Sequence, residues 1–204
     1  MPARYCVPAA ALCFEVPKIK GSRFIADVAP AEDAEEAAAL VAAVRKREHA
    51  ARHVCWAWRL GEDGETARSS DDGEPSGSAG KPILAALEGA DLTFAVVTVT
   101  RYFGGTKLGV GGLVRAYGGA AAAALEQVEV HTVVPTADIL AVLDYPDLGV
   151  LEAFIAREGV DRPALEYGEG VTATFSVPRG EAAEFAARLV DQSAGRITAR
   201  VLDP

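Results

Sequence analysis

The chain has 204 residues, 50% of them hydrophobic and 24% charged. That is enough apolar material for folded cores and more length than one average domain, so two compact units are expected. With 20 Lys and Arg against 29 Asp and Glu the net charge is −9, which argues against a surface that is basic throughout and against tight non-specific binding to nucleic acid or anionic membrane. Cys6, Cys13 and Cys55 form no C-x-x-C pair, so neither a disulfide framework nor a zinc ribbon is indicated and a cytoplasmic protein is expected. No apolar run approaches the length of a membrane span, and Cys6–Phe14, the nearest to a signal segment, is interrupted by Pro8 and followed by Glu15.

In chain order, Ala11–Val16 and Arg23–Val28 read as strands, with Lys18, Lys20 and Gly21 forming the turn between them. A helix follows Pro30, Glu32 and Asp33. Ala37, Leu40, Val41 and Val44 line one of its faces, and Arg45–Arg47 complement the dipole at its end. His53–Leu60 alternates as a strand, Gly61–Ala67 reads as a turn, and Ser69–Pro82 is too rich in Gly, Pro, Ser and Asp for helix or strand. A short helix over Ile83–Leu87 precedes a β-branched strand, Leu92–Thr100. The Gly-rich RYFGGTKLGVGG then leads into a helix over Leu113–Val128, and Val130–Val134 is a further strand.

Pro135 divides the chain into residues 1–134 and 135–204. The second part reads β-α-β-β-α-β. Its strands lie near Ile139–Leu143, Ala164–Tyr167, Val171–Val177 and Ile197–Val201, and its helices carry Leu148, Leu151 and Ile155, then Ala182, Phe185, Ala186 and Leu189. That order is the ferredoxin-like arrangement, so the fold class is α+β.

Several catalytic motifs fail. Pro75 and Pro82 break a P-loop around Gly80–Lys81, Ser76 stands where a nucleophile elbow around Ser78 needs glycine, and there is no H-E-x-x-H or G-x-G-x-x-G. The segment Leu92–Leu125 instead contains Arg101, Lys107 and Arg115 and no Asp or Glu. Gly104, Gly105, Gly109, Gly111 and Gly112 leave backbone N–H groups accessible before a helix, and that combination makes an anion site. Gly112, Arg115, Gly118 or Gly119 and Ala122 share one helix face, which reads as nearly bare backbone.

Asp71, Asp72 and Glu74 fall within one turn and suit a Mg²⁺ held with waters and a substrate phosphate. Asx turns explain them equally well, as does internal pairing with Arg101 or Arg115. His53 and Cys55, at i and i+2 of a strand, could act as base and nucleophile, or be a hydrogen-bonded histidine beside an inert core thiol. His49 and His131 are isolated and read as structural or exposed.

Lys20-Gly21-Ser22-Arg23-Phe24-Ile25, His53-x-Cys55, DDGEPSGSAGKP from Asp71 and RYFGGTKLGVGGLVRAYG from Arg101 together resemble the YigZ/IMPACT family. Ser78 stands where that pattern usually has Thr, and Arg52 where Thr commonly precedes the histidine. The resemblance implies a first domain similar to domain 2 of ribosomal protein S5 and a second similar to domain V of elongation factor G. It also implies a link to translation, which eukaryotic relatives regulate at initiation.

The expected function is therefore a non-enzymatic, translation-associated protein. It would bind RNA, the ribosome or a translation partner, without DNA specificity or membrane attachment, through Arg101, Tyr102, Gly104, Gly105, Lys107, Gly111, Gly112 and Arg115. Tyr102, Phe103 and Tyr117 could stack on unpaired bases. The rival is a Mg²⁺-dependent enzyme acting on a nucleotide or small phosphorylated substrate, with His53, Asp72 and Ser78 as catalytic candidates and Asp71, Asp72 and Glu74 as metal ligands.

Overall fold

The computed structural model describes residues 4–202, so residues 1–3 and 203–204, the outer ends of the two expected domains, lie outside the description. The described residues form an α+β protein that divides into two units, Tyr5–Val133 and the chain from Val134 onward. Among them no helix is long and apolar enough to cross a membrane.

The first unit is built on a five-stranded antiparallel sheet. Its strands are β2 (Leu12–Ile19), β3 (Ser22–Pro30), β4 (His53–Leu60), β5 (Thr66–Ser70) and β6 (Ala95–Tyr102), in the order β2-β3-β6-β4-β5. β6 is central and buried along almost its whole length, as its β-branched run predicts. One face carries α1 (Ala34–Arg47), and the other carries α2 (Gly80–Gly89) and α3 (Val110–Leu125).

The alternation along β4 separates the two cores, with Trp58 on the α1 side and Cys55 and Ala57 on the α2–α3 side. Helix α1 starts where Asp33 Oδ1 accepts from the Glu35 and Glu36 N–H groups at 2.9 and 2.8 Å. Glu36 reaches back to the Glu32 N–H, a capping arrangement that fixes the first turn.

Three sequence expectations shift here. β5 overlaps both the turn placed at Gly61–Ala67 and the irregular stretch from Ser69. It is an edge strand with side chains mostly exposed, so no apolar alternation marks it. The central strand starts at Ala95 and runs on through Tyr102, which places Arg101 inside the sheet, opposite Phe24 on β3 and His53 on β4. The third shift is at the chain's start, where β1 (Tyr5–Pro8) pairs with β7 (Val130–Val133) as a separate two-stranded sheet.

The second unit is the expected β-α-β-β-α-β. Strands β8 (Thr136–Leu143), β9 (Ala164–Tyr167), β10 (Val171–Pro178) and β11 (Thr198–Val201) form an antiparallel sheet in the order β11-β8-β10-β9. Helices α4 (Leu148–Glu158) and α5 (Ala182–Gln192) supply the core's other half. Phe185 stands edge-on to Phe154 and tilted against Phe175, with ring centroids 5.2 and 5.1 Å apart, the favoured aromatic geometry. Phe185→Ala leaves a cavity between sheet and helices and is expected to cost about 3–5 kcal/mol. Urea unfolding followed by far-UV circular dichroism measures it, and an unmoved midpoint would contradict this packing.

Candidate functional site

The loop between β5 and α2 carries the acidic cluster, and its three carboxylates turn to three different sets of donors. Asp71 accepts the backbone N–H groups of Gly77, Ala79 and Gly80 at 2.7, 2.9 and 2.8 Å. It serves as the cap of α2, whose own N-cap residue, Ala79, supplies no side-chain bond. Burial opposes ionisation of Asp71, but the three N–H donors outweigh it and hold the carboxyl below its usual range.

Asp72 adopts a left-handed φ of 45°. It pairs with Arg45 at the end of α1 and accepts the Val54 N–H at 2.6 Å. Glu74 Oε1 accepts from Arg101 Nη1 and from the Tyr117 hydroxyl, both at 2.7 Å. Among the described residues no group of three or more potential metal ligands converges, so Asp71, Asp72 and Glu74 are not brought together as a Mg²⁺ site. Asp72 is likewise committed to structure and is unsuited to catalysis.

Arg101 and Glu74 are the buried pair of the unit, with side chains 9% and 5% exposed. The guanidinium lies over the Phe24 and Phe103 rings, 5.8 and 5.7 Å from their centroids, a favourable cation–π arrangement. Its Nε is buried without a hydrogen-bond partner.

The expected base–nucleophile pair resolves into two structural bonds. His53 Nδ1 lies 2.7 Å from the Asp72 carbonyl oxygen, and the Cys55 thiol donates to the Asp71 carbonyl at 3.0 Å. Burial is the main cause that pushes the Cys55 thiol up to about 12, so it remains protonated and unreactive at neutral pH. Ser78 is fully buried with its Oγ unpartnered, so no substrate can reach it as a nucleophile.

A cavity of about 730 Å³ opens beside this network. His53, Arg101, Tyr102 and Glu74 line it, together with Arg52, Phe103, Lys107 and the start of α3 at Gly109 and Val110. Phe103 and Val110 are 58% and 57% exposed, and Lys107 and Arg52 are exposed, with no ion-pair partner among the described residues. α3 begins with no side-chain cap and no acidic residue in its first turn. Among the described residues no side-chain cap or first-turn acid therefore meets its first N–H groups and the positive end of its dipole.

The Gly-rich stretch divides in function. Gly104 packs on Gly21, where a Cβ would come within 1.9 Å of backbone, and its N–H donates to Ser22 Oγ, so it is a packing glycine. Gly105 (φ 90°) and Gly111 stay open, and Gly112 sits against Leu108. Gly118 meets Pro82 of α2, so the face expected to be bare is partly a helix–helix contact. Arg115 is exposed and lies outside the cavity wall. Tyr102 lines the cavity but donates its hydroxyl to Glu48 at 2.8 Å. His49 and His131 stay outside that wall. Sequence reasoning had treated Arg52 only as a departure from a pattern and Arg45 only as a dipole partner.

The family model described as the Impact N-terminal domain matches residues 20–125, and a domain of unknown function (DUF1949) matches residues 142–196. The IMPACT family member YigZ of Escherichia coli is 38% identical over 195 residues, 95% of each chain. The chain belongs to the IMPACT family. A second IMPACT-family relative, the Saccharomyces cerevisiae protein IMPACT homolog, is 35% identical over 95 residues, 44% of this chain and 36% of its own. A solved structure titled as that of a hypothetical protein superposes with a TM-score of 0.68 at 36% identity, covering 100% of this chain and 98% of that one.

Two outcomes follow for this IMPACT-family fold. Asp71→Ala uncaps α2 and is expected to lower stability by about 1–2 kcal/mol at pH 7. Because the folded pKa of Asp71 lies below its unfolded value, its contribution is present at neutral pH and is lost as pH falls through the folded value, below about pH 4. Urea midpoints at pH 7 and pH 3 should show the gap between variant and wild type closing, and an equal gap at both would contradict the capping role. Cys55 should escape iodoacetamide at pH 8 in the folded protein and react once urea unfolds it, as read by mass spectrometry.

Proposed function

We propose that this protein is a translation-associated binding protein of the cytoplasm, whose first unit holds a phosphate of single-stranded RNA in the cavity at the start of α3. The buried Arg101 Nε carries this reading. It belongs to a residue of the cavity wall and has no hydrogen-bond partner among the described residues, and a buried donor left unmade costs about 1–3 kcal/mol. An anionic ligand that reached it would remove that cost.

The uncapped α3 N-terminus and the unpaired Lys107 and Arg52 favour the same charge. Exposed Phe103 offers a ring on which a base can stack irrespective of sequence. The ribosome is the natural RNA partner, because membership of the IMPACT family suggests a translation-related regulatory role. We read the first unit as similar to domain 2 of ribosomal protein S5. The second we read as ferredoxin-like, resembling domain V of elongation factor G; its strand order β11-β8-β10-β9 supports the ferredoxin-like reading. A Mg²⁺-dependent enzyme draws no support from the acidic loop, whose carboxylates already serve N–H groups, Arg45, Arg101 and Tyr117.

Fluorescence anisotropy of a labelled oligo(U) over a KCl series tests the proposal. Affinity should fall with salt, at a slope of about −0.7 per phosphate neutralised. Lys107→Ala should weaken binding and reduce the magnitude of that slope by about 0.7, the share of one phosphate contact. Salt-independent binding, or an unchanged slope in the variant, would overturn it.

A further inference from the structure

His53 enters the cavity with its ring chemistry already decided. The Asp72 carbonyl oxygen 2.7 Å from Nδ1 can only accept, so Nδ1 carries the proton and Nε2 of the neutral ring is an acceptor. No hydrogen bond within the described residues engages Nε2, while Nδ1 is held against the loop, and His53 itself lines the cavity. The ring is held by its Nδ1 bond to the loop and by a strand paired through Arg101 opposite it, and a Cβ at Gly73 would touch its Nδ1 edge.

The cationic side chains of the wall are of the opposite kind. Arg52, Lys107 and Arg101 are donors without acceptor capacity. Glu74 Oε1 is committed to Arg101 and Tyr117. Among the described residues, His53 Nε2 is therefore the one side-chain nitrogen in the wall that asks for a donor from a ligand.

On a single RNA strand the phosphates accept, and the donors on the bases differ from base to base. The ribose 2′-hydroxyl is the donor that every nucleotide carries, and it sits next to the phosphate. We infer that His53 Nε2 accepts a hydrogen bond from the 2′-hydroxyl of a nucleotide bound in the cavity, so that this histidine makes the site selective for RNA over DNA. The inference rests on the RNA reading above and adds the group that tells the sugar apart.

The test compares three oligonucleotides on the full chain at one fixed salt concentration, by anisotropy: oligo(U), 2′-O-methyl oligo(U) and oligo(dU). The methyl ether keeps an acceptor and loses the donor. Wild-type protein should prefer oligo(U) over both others by about two- to tenfold, the worth of one neutral hydrogen bond. His53→Leu should bind all three alike, near the wild-type affinity for oligo(dU). The wild-type arm stands alone if the variant's loop is disturbed.

Equal wild-type affinity for all three, or a methylated strand bound as well as oligo(U), overturns the role of His53 and leaves the RNA reading intact. A folded His53→Leu that keeps the preference assigns it to another group and also overturns the role. Failure of the wild type to bind any of the three overturns the RNA reading, and the role of His53 with it.

Discussion

A guanidinium and a carboxylate meet out of water at Arg101 and Glu74, and the arrangement of the whole first unit around its cavity depends on that meeting. Arg101 belongs to the central strand, Glu74 to the loop before α2, and Tyr117, which shares the same oxygen, to α3. One carboxylate oxygen therefore ties three elements that are far apart in sequence. Removing either partner of such a pair strands the other charge in a low-dielectric interior, a loss of about 3–5 kcal/mol. The Phe24 and Phe103 rings lie against the guanidinium, which is buried with its partner. The pair thus helps to hold the acidic loop where Asp71 caps α2 and the Asp72 carbonyl meets His53.

The two helix N-termini of that unit show the same physics with opposite outcomes. The end of α2 receives its anion from within the chain, from an aspartate eight residues before the helix's own N-cap. The end of α3 has no side-chain cap and no acidic residue in its first turn, and Lys107 and Arg52 line the same cavity. Placing a carboxylate at one end and withholding it from the other favours positive potential at the α3 end, in a chain whose net charge is −9. This also explains how an acidic protein presents a cationic cavity without a basic surface.

Much of the architecture was legible because burial imposes a period. α1, β4 and the β-α-β-β-α-β order each show in the spacing of apolar residues, and the caps of α1 are local in sequence. β1 and β5 were not legible: short strands of four and five residues, with many side chains partly or wholly in water, need no apolar alternation. The site divides in the same way. Its ingredients could be seen as a segment lacking acids beside a cluster of acids, but three carboxylates so close in sequence do not show which of them will meet Arg101. Backbone reversals at Asp72 and Gly73 decide that, and they send neighbouring side chains in different directions. The burial of Ser78 and the role of Gly104 against Gly21 depend on loops meeting across the fold, which no local pattern records.

The pairing of β1 with β7 has a further meaning. Tyr5 stands opposite Val133, so the first and last residues of the unit are neighbours, about 5 Å apart as antiparallel partners are. A module whose entrance and exit coincide can be inserted into a surface loop of another protein without prising that loop apart. It can equally tolerate new termini elsewhere, with its present ends joined by a short turn. In evolutionary terms the unit is portable cargo, and the cavity, formed wholly within it, would travel with it.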